Sequence, residues 1–418
     1  MVFSVEDRPE IVRPPSSHNH PPNVQQSVRD ATISKIRHLI KEDPMKRLNA
    51  TYKSVVAASK PVSDDMRCLV PEYDSLRTVL QRQRSSALPK LPKCKEDIVL
   101  EGEWCMTSDG EHFVLPSDNN DMIIFTTQAN LAFLSQCKTL YVDGTFKTCP
   151  TLYAQLYSIQ GLYAGYVIPL VYVLLPDKTS TTYYVMIGRI RDAVAKQKLI
   201  LNPEMIISDF ESGLLEAVRL QFPNAQHLGC HFHYGQALWR KFQELGLVVA
   251  FRDNEKIRCF FEQCTALAFM PPGEVLTIFD EISGQLSSEE TTKLSEFVSY
   301  FKSTWLGGSF PIDMWNKYGR DRQHRTNNAT ESWHASLQHL VPTHPNIFVL
   351  ISALKQQETV AKIKMAKANA GLTPPPSKLK YRQLEERLMK AHGKHAKGEI
   401  TSLELLRKVQ HCVRVAKH

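Results

Sequence analysis

Two short apolar runs in this chain end the same way. "LYVDGTFKTCP" (140–150) carries Leu140, Tyr141 and Val142 into Asp143, and "MIISDFE" (205–211) carries Met205, Ile206 and Ile207 into Ser208 and Asp209. A strand that ends on a carboxylate has two readings. An Asp-Gly pair is a favoured two-residue hairpin turn, because both positions tolerate positive φ, and taken alone residues 143–144 read that way. The other reading puts Asp143 at the mouth of a sheet, where it binds something. Asp209 also has a bland reading, as a polar residue closing a strand before a helix.

The segments around these runs constrain the fold. "LYAQLYSIQGLYAGYVIPLVYVLLP" (152–176) reads as two further strands with a turn near Ala164-Gly165. "TTYYVMIGRIRDAVAKQ" (181–197) has the period of an amphipathic helix, and a second helix through Leu214, Leu215 and Val218 follows Asp209. "QHLGCHFHYGQALWRKFQEL" (226–245) is a strand flowing into a helix. Three strands in a meander followed by strand-helix alternation imply an α/β fold, a mixed sheet with helices on its faces. Upstream, "EWCMTSDGEHFVL" (103–115) reads as a hairpin around Asp109-Gly110 and "MIIFTT" (122–127) as a short strand. Thr127 is placed to cap a helix carrying Leu131, Leu134 and Cys137. Residues 250–303 read as helical, interrupted by "MPPGE".

Such a sheet places the first meander strand beside the strand that ends at Asp209. Adjacent strands lie ~4.8 Å apart, so Asp143 and Asp209 would share one rim and could share one cation. Two ionised carboxylates that close repel, and a divalent metal removes that cost. Mg²⁺ takes oxygen ligands and is often held by one or two carboxylates plus substrate phosphates. A third carboxylate is available in "RTNNATESWHASLQHL" (325–340), where Glu331, His334 and Gln338 lie toward one side of a helix and Trp333, Leu337 and Leu340 toward another. Asn328-x-x-Glu331 also resembles a capping box, with Glu331 serving its own helix.

The flanks divide the chain further. Residues 1–25 are Pro-rich and aperiodic, as in a disordered tail. Residues 26–98 read as a basic helical module, with Ile33, Ile36, Leu39 and Ile40 on one helix face. Residues 99–249 form the α/β core, 250–320 a helical insertion, 321–345 the last helix of the core and 346–418 a basic helical tail. From Lys355 onward there are 15 Lys and Arg against 5 Asp and Glu, whereas the whole chain is only +8. That asymmetry suits phosphate contacts, with a solvated helical surface as its bland alternative, and after Ser377 the tail reads as helical, basic and loosely packed. No leader is expected, since residues 1–22 hold charges and five prolines but no apolar run. "YVIPLVYVLL" (166–175) is too short to span a bilayer, so no membrane partner is expected. Nine irregularly spaced cysteines fit reduced thiols inside a cell.

"DGTFKTCPTLYAQLYSIQG", "PLVYVLLPDKTSTTY", "SDFESGLLEAVRLQFPNAQHLGCHFHYGQALW" and "RTNNATESWH" together resemble, in order from about Met122 to about Leu340, the transposase domain of Mutator-like elements. The resemblance implies a DDE transposase with an RNase H-like fold. Asp143, Asp209 and Glu331 would be its catalytic, metal-holding carboxylates, with two Mg²⁺ or Mn²⁺ ions. It implies cleavage of double-stranded DNA at element ends, attack of the freed 3′-OH on target DNA, work in the nucleus and a homo-oligomer on DNA. The family's C-x-x-H signature falls on Cys230 and His233. These read as organising the active-site floor, because no second ligand pair exists for zinc. Trp305 and Trp315 read as core, or as a stack for a flipped base. His18 and His20 resemble the end of a FLYWCH-type finger, but no cysteine precedes them. The competing function is a DNA-binding regulator descended from a transposase, without catalysis.

Overall fold

Ala164 and Gly165 both take positive φ, 47° and 80°, and so close a tight hairpin between the two longest strands. The computed structural model in which this is seen describes residues 23–412 apart from 43, 45, 47, 59–67, 87 and 118. The N-terminal tail to residue 22, with His18 and His20, lies outside the described residues. The chain divides into two compact units, Met1–Leu91 and Pro92–His418.

In the first unit, α1 (Val24–Glu42), α2 (Leu48–Ala58) and α3 (Tyr73–Ser86) bury Ile33, Ile36, Ile40, Leu48, Val55, Leu76 and Leu80 together. Leu39, on the expected apolar face, packs at the edge of that cluster.

The second unit is built on one six-stranded sheet: β1 (Ile123–Phe125), β2 (Thr139–Thr145), β3 (Gln155–Tyr163), β4 (Tyr166–Leu175), β5 (Met205–Ser208) and β6 (Gln226–Gly229). Its order is β1-β4-β3-β2-β5-β6. The pairs β1–β4, β4–β3 and β3–β2 are antiparallel, and β2–β5 and β5–β6 are parallel. This is the mixed sheet that the order of segments implies, and it is consistent with the RNase H-like arrangement that the resemblance implies. Side chains alternate across the sheet. Leu140, Val142 and Ile206 belong to the large core that includes α4 (Gln128–Leu134), α5 (Ser180–Ala195) and α6 (Ser212–Gln221). Tyr141, Ile207 and Leu228 form a separate small cluster with Cys230. Thr127 caps α4 as expected, its side chain accepting from Asn130 N.

Two expectations about turns change. Asp143 and Gly144 do not form a hairpin tip: both continue β2, opposite Ser158 and Tyr157 of β3. A Cβ at 144 would meet the end of the Gln155 side chain, which would have to shift. The hairpin around Gly110 exists, with φ 84° at the glycine, but only as a bridge between Met106 and His112.

A second, helical core follows the sheet. α7 (His231–Glu244), α8 (Val248–Asp253), α9 (Glu255–Ala266), α10 (Val275–Gly284), α11 (Ser288–Phe301) and α12 (Ile312–Trp315) enclose it. α13 (Asn328–Leu340) returns to the sheet, stacking Trp333 on Tyr172 of β4 at 5.3 Å. The C-terminal helices are not loosely packed. α14 (Ile347–Asn369) buries Ala361, Met365 and Ala368 in the sheet core. α15 (Leu379–Ala396) and α16 (Ser402–Gln410) bury Leu388, Ala391, Leu405, Leu406 and Val409 in the helical core. No described helix is long and apolar enough to cross a membrane.

Candidate active site

The parallel pairing of β2 with β5 sets Tyr141 level with Ile207. Two residues further on, Asp143 lies within β2 on the same face as Tyr141, and Asp209 lies just past the end of β5, near enough that its charge raises the Asp143 carboxyl. β6 pairs Gly229 with Ser208, which brings Cys230 and the start of α7 to the same rim. Gly229 has no room for a Cβ, since the Phe210 ring fills that space.

Asp143 is buried and already tied down. Its Oδ1 accepts from Gly144 N at 2.9 Å and its Oδ2 from Asn327 Nδ2 at 3.2 Å. His334 Nδ1 lies 3.6 Å from that Oδ2, and its Nε2 lies 3.4 Å from Ser158 Oγ. Asp209 Oδ1 and Glu331 Oε1 are the opposite case: each is buried and accepts no hydrogen bond from a described residue. Unpaired buried carboxylate oxygens are costly, so each is a free ligand position.

α13 brings Glu331 here, though not as a capping box. The helix starts at Asn328 and the residue before it, Asn327, makes no side-chain cap. Its amide is used elsewhere. Asn327 Oδ1 accepts from Cys230 Sγ at 2.8 Å, Nδ2 donates to Asp143, and the Asn327 backbone N–H donates to Cys230 Sγ at 3.3 Å. Asn327 thus joins the start of α7 to the end of β2. Glu331 falls on the fourth helical residue, one too far for a capping pair.

Burial, and then the negative charges of Asp209 and Glu331, hold the Asp143 carboxyl well above the usual carboxylate range. Burial also raises Asp209, against the pull of Lys178 and Arg240. Burial lifts Glu331 to about 7. The same cause pushes His233 and His334 down to about 4, leaving both neutral at pH 7. It pushes the Cys230 thiol up to about 12, so Cys230 keeps the proton it donates to Asn327. Three acids that resist ionising beside one another form a site whose charged state needs cations.

The side chains do not converge as they stand. Among the described residues, no three His, Cys, Asp or Glu are grouped to hold a metal ion. Asp143 is turned instead to Gly144 and Asn327. The donor set still suits a hard divalent cation: carboxylate oxygens, two of them unpaired. His233, like Asp209, has a buried atom, its ring Nδ1, with no hydrogen-bond partner among the described residues. A further carboxylate, Glu211, sits just before α6 beside Asp209 and pairs with Lys178 at 3.6 Å. Trp305 and Trp315 are core. Trp315 donates its indole N–H to Trp305 O at 2.9 Å and stacks on Tyr234.

Sequence reasoning missed Asn327 and Lys317. Lys317 is wholly buried, donates its ammonium to Gly229 O at the end of β6, and is pushed down to about 7 by burial. Lys317 carries no local signal, and Asn327, though inside the RTNNATESWH segment, carries none that points to Asp143 or Cys230. Each is recruited by partners distant in sequence.

Residues 139–237 match the family model of the MULE transposase domain. The matched stretch runs from the first residue of β2 into α7 and includes Asp143, Asp209, Cys230 and His233. A comparison with curated proteins finds no match.

Proposed function

From the premise that the sheet bearing Asp143 and Asp209 is a transposase domain of the Mutator-like element family, we propose that this protein is a DDE-type DNA transposase acting in the nucleus. The observation that carries the proposal is the placement of Asp143 in β2 beside the parallel strand β5 that runs into Asp209, with Asn327, just before the Glu331 helix, hydrogen-bonded to Asp143. Asp143, Asp209 and Glu331 would hold Mg²⁺ or Mn²⁺. When bound, such ions supply an activated attacking oxygen and stabilise the leaving one in phosphoryl transfer.

The chain's own groups do the rest. Asn327 fixes the rotamer of Asp143 through Oδ2, and Gly144 N fixes it through Oδ1. His334, neutral at pH 7, packs against Asp143 without adding a competing positive charge. Lys178 and Arg240 soften the field at Asp209. Asp209 Oδ1 and Glu331 Oε1 accept no hydrogen bond from a described residue, so a divalent cation holding a scissile phosphate at this rim would displace none from either oxygen.

The test is cleavage of DNA carrying the element ends with Mg²⁺ or Mn²⁺, beside thermal unfolding of each variant. Asp143→Asn, Asp209→Asn and Glu331→Gln should each abolish cleavage while remaining folded, because a neutral amide is a poorer ligand for a hard ion. Full cleavage by folded Glu331→Gln would remove Glu331 from the set and direct attention to Glu211. DNA binding without cleavage by the unaltered protein would favour the regulator instead.

A further inference from the structure

An exposed aromatic ring sits three residues past Asp143. Phe146 is 48% exposed, whereas its neighbours Thr145 and Thr148 are buried. The ring is not on a loose loop. Cys149 N donates to Phe146 O at 3.1 Å, and His344 N donates to Lys147 O at 2.8 Å, so the turn is closed on itself and pinned to the segment after α13. Cys149 is buried beneath it, and His344 Nδ1 lies 3.1 Å from Cys149 O. The turn is thus fixed while the phenyl ring stays half exposed.

The charged group beside the ring points to a ligand class. Lys178 Nζ stands 4.2 Å from the Phe146 ring centroid and 3.6 Å from Glu211 Oε2, and its charge reaches Asp209. Lys147, the next residue, is also exposed. An exposed aromatic ring with one ammonium group over it and an exposed lysine next in the chain, at the rim of a carboxylate site, matches one polymer: a nucleic-acid strand, with π-faced bases and anionic links. At ~3.3 Å per strand residue, Phe146 lies no more than about 10 Å along the chain from Asp143, or about three stacked nucleotides.

We infer that Phe146 is a stacking platform for an unpaired nucleobase of the DNA strand presented to Asp143 and Asp209, with Lys178 and Lys147 contacting its flanking phosphates. The inference rests on the transposase reading and deepens it. It gives the flipped-base role to Phe146 rather than to Trp305 or Trp315, which are shut inside the helical core.

The experiment uses the full chain in Ca²⁺ and a short duplex ending in unpaired 2-aminopurine. Binding should quench the base's fluorescence. Phe146→Ala should abolish the quench and bind the unpaired end about 5- to 150-fold more weakly, the range for removal of one base–aromatic stack. Phe146→Trp should restore both. A folded Phe146→Ala protein that quenches and binds like its parent overturns the inference, as does a parent that binds without quenching. Cleavage by Asp143→Asn is measured in parallel. Its persistence would defeat the catalytic reading, whatever Phe146 does. A parent that binds no DNA would defeat both.

Discussion

Lys317 carries a charge problem that the fold solves with a single carbonyl. Its amine would hold a proton up to pH 10.5 in the open chain, but burial brings that down to about 7. Between those values the unfolded chain binds the extra proton, so stability rises with pH across that interval. Cys230 works the other way, since its raised thiol favours the folded state less as pH climbs, but only above its ordinary value of 9. The clean window is therefore pH 7 to 9. There the unaltered protein should gain roughly 2 kcal/mol relative to Lys317→Met, measured as the difference in denaturant unfolding free energy. A constant difference between the two proteins over that window would mean that Lys317 keeps its charge when folded. Glu331 obeys the opposite sign. Its carboxyl is raised to about 7, so the stability it lends is lost as pH rises from about 4.5 to 7, and Glu331→Gln should gain on its parent over that range. The two residues also differ in how far the sequence reveals them. The charge of Glu331 stood out in the sequence as a candidate third carboxylate. The burial of Lys317 against Gly229 did not, because nothing near position 317 in the sequence announces a buried amine.

At the level of elements, the start of α13 shows why the capping expectation failed. Asn327 and Asn328 are adjacent and chemically identical, and local propensity favours either as a cap. Tertiary partners decided the matter: Cys230 and Asp143 lie 97 and 184 residues away. The strands were legible for a complementary reason. Their order follows from alternation and hairpin turns, which are local, and from crossover connections, which force β5 beside β2. The Asp143-Gly144 pair misleads because its turn chemistry is real but unused; the strand simply continues. Asn327→Ala would strand the Cys230 thiol and one Asp143 oxygen, at a cost of about 1–3 kcal/mol. Thr127→Ala removes an ordinary helix cap of similar cost, about 0.5–2 kcal/mol, far along the chain from the carboxylates. If Asn327 positions Asp143, its variant should lose far more cleavage than Thr127→Ala at matched loss of melting temperature. Equal losses would reduce Asn327 to a structural tie.

For the whole chain, the basic C-terminal helices are the part whose charge was most visible in the sequence and whose packing was least so. Net charge sums over all faces of a helix, and these helices have two. The inner face of α16 puts Leu405, Leu406 and Val409 into the helical core, and Arg325 binds Glu385 of α15 through both carboxylate oxygens at 2.8 and 2.7 Å. Removing the tail would open that core, so a truncated protein that fails to bind DNA would say nothing about phosphates. Leu406→Ala alone should cost about 2–5 kcal/mol of unfolding free energy. The outer face is separable. Lys390, Lys394, Arg407 and Lys408 are exposed. Replacing these four by Ala should change stability little, since surface substitutions usually stay within about 0.5 kcal/mol each. If the face lies along DNA, the slope of log binding constant against log salt should flatten by about 0.9 for each phosphate no longer neutralised, and by about 3 to 4 if all four side chains touch the backbone. The measurement is binding of a mixed-sequence duplex over a salt series, with the Leu406→Ala protein as a control for loosened packing. An unaltered slope in a stable quadruple variant would confine DNA to the sheet rim, and the positive charge of these helices would then be only the solvated outside of a structural element.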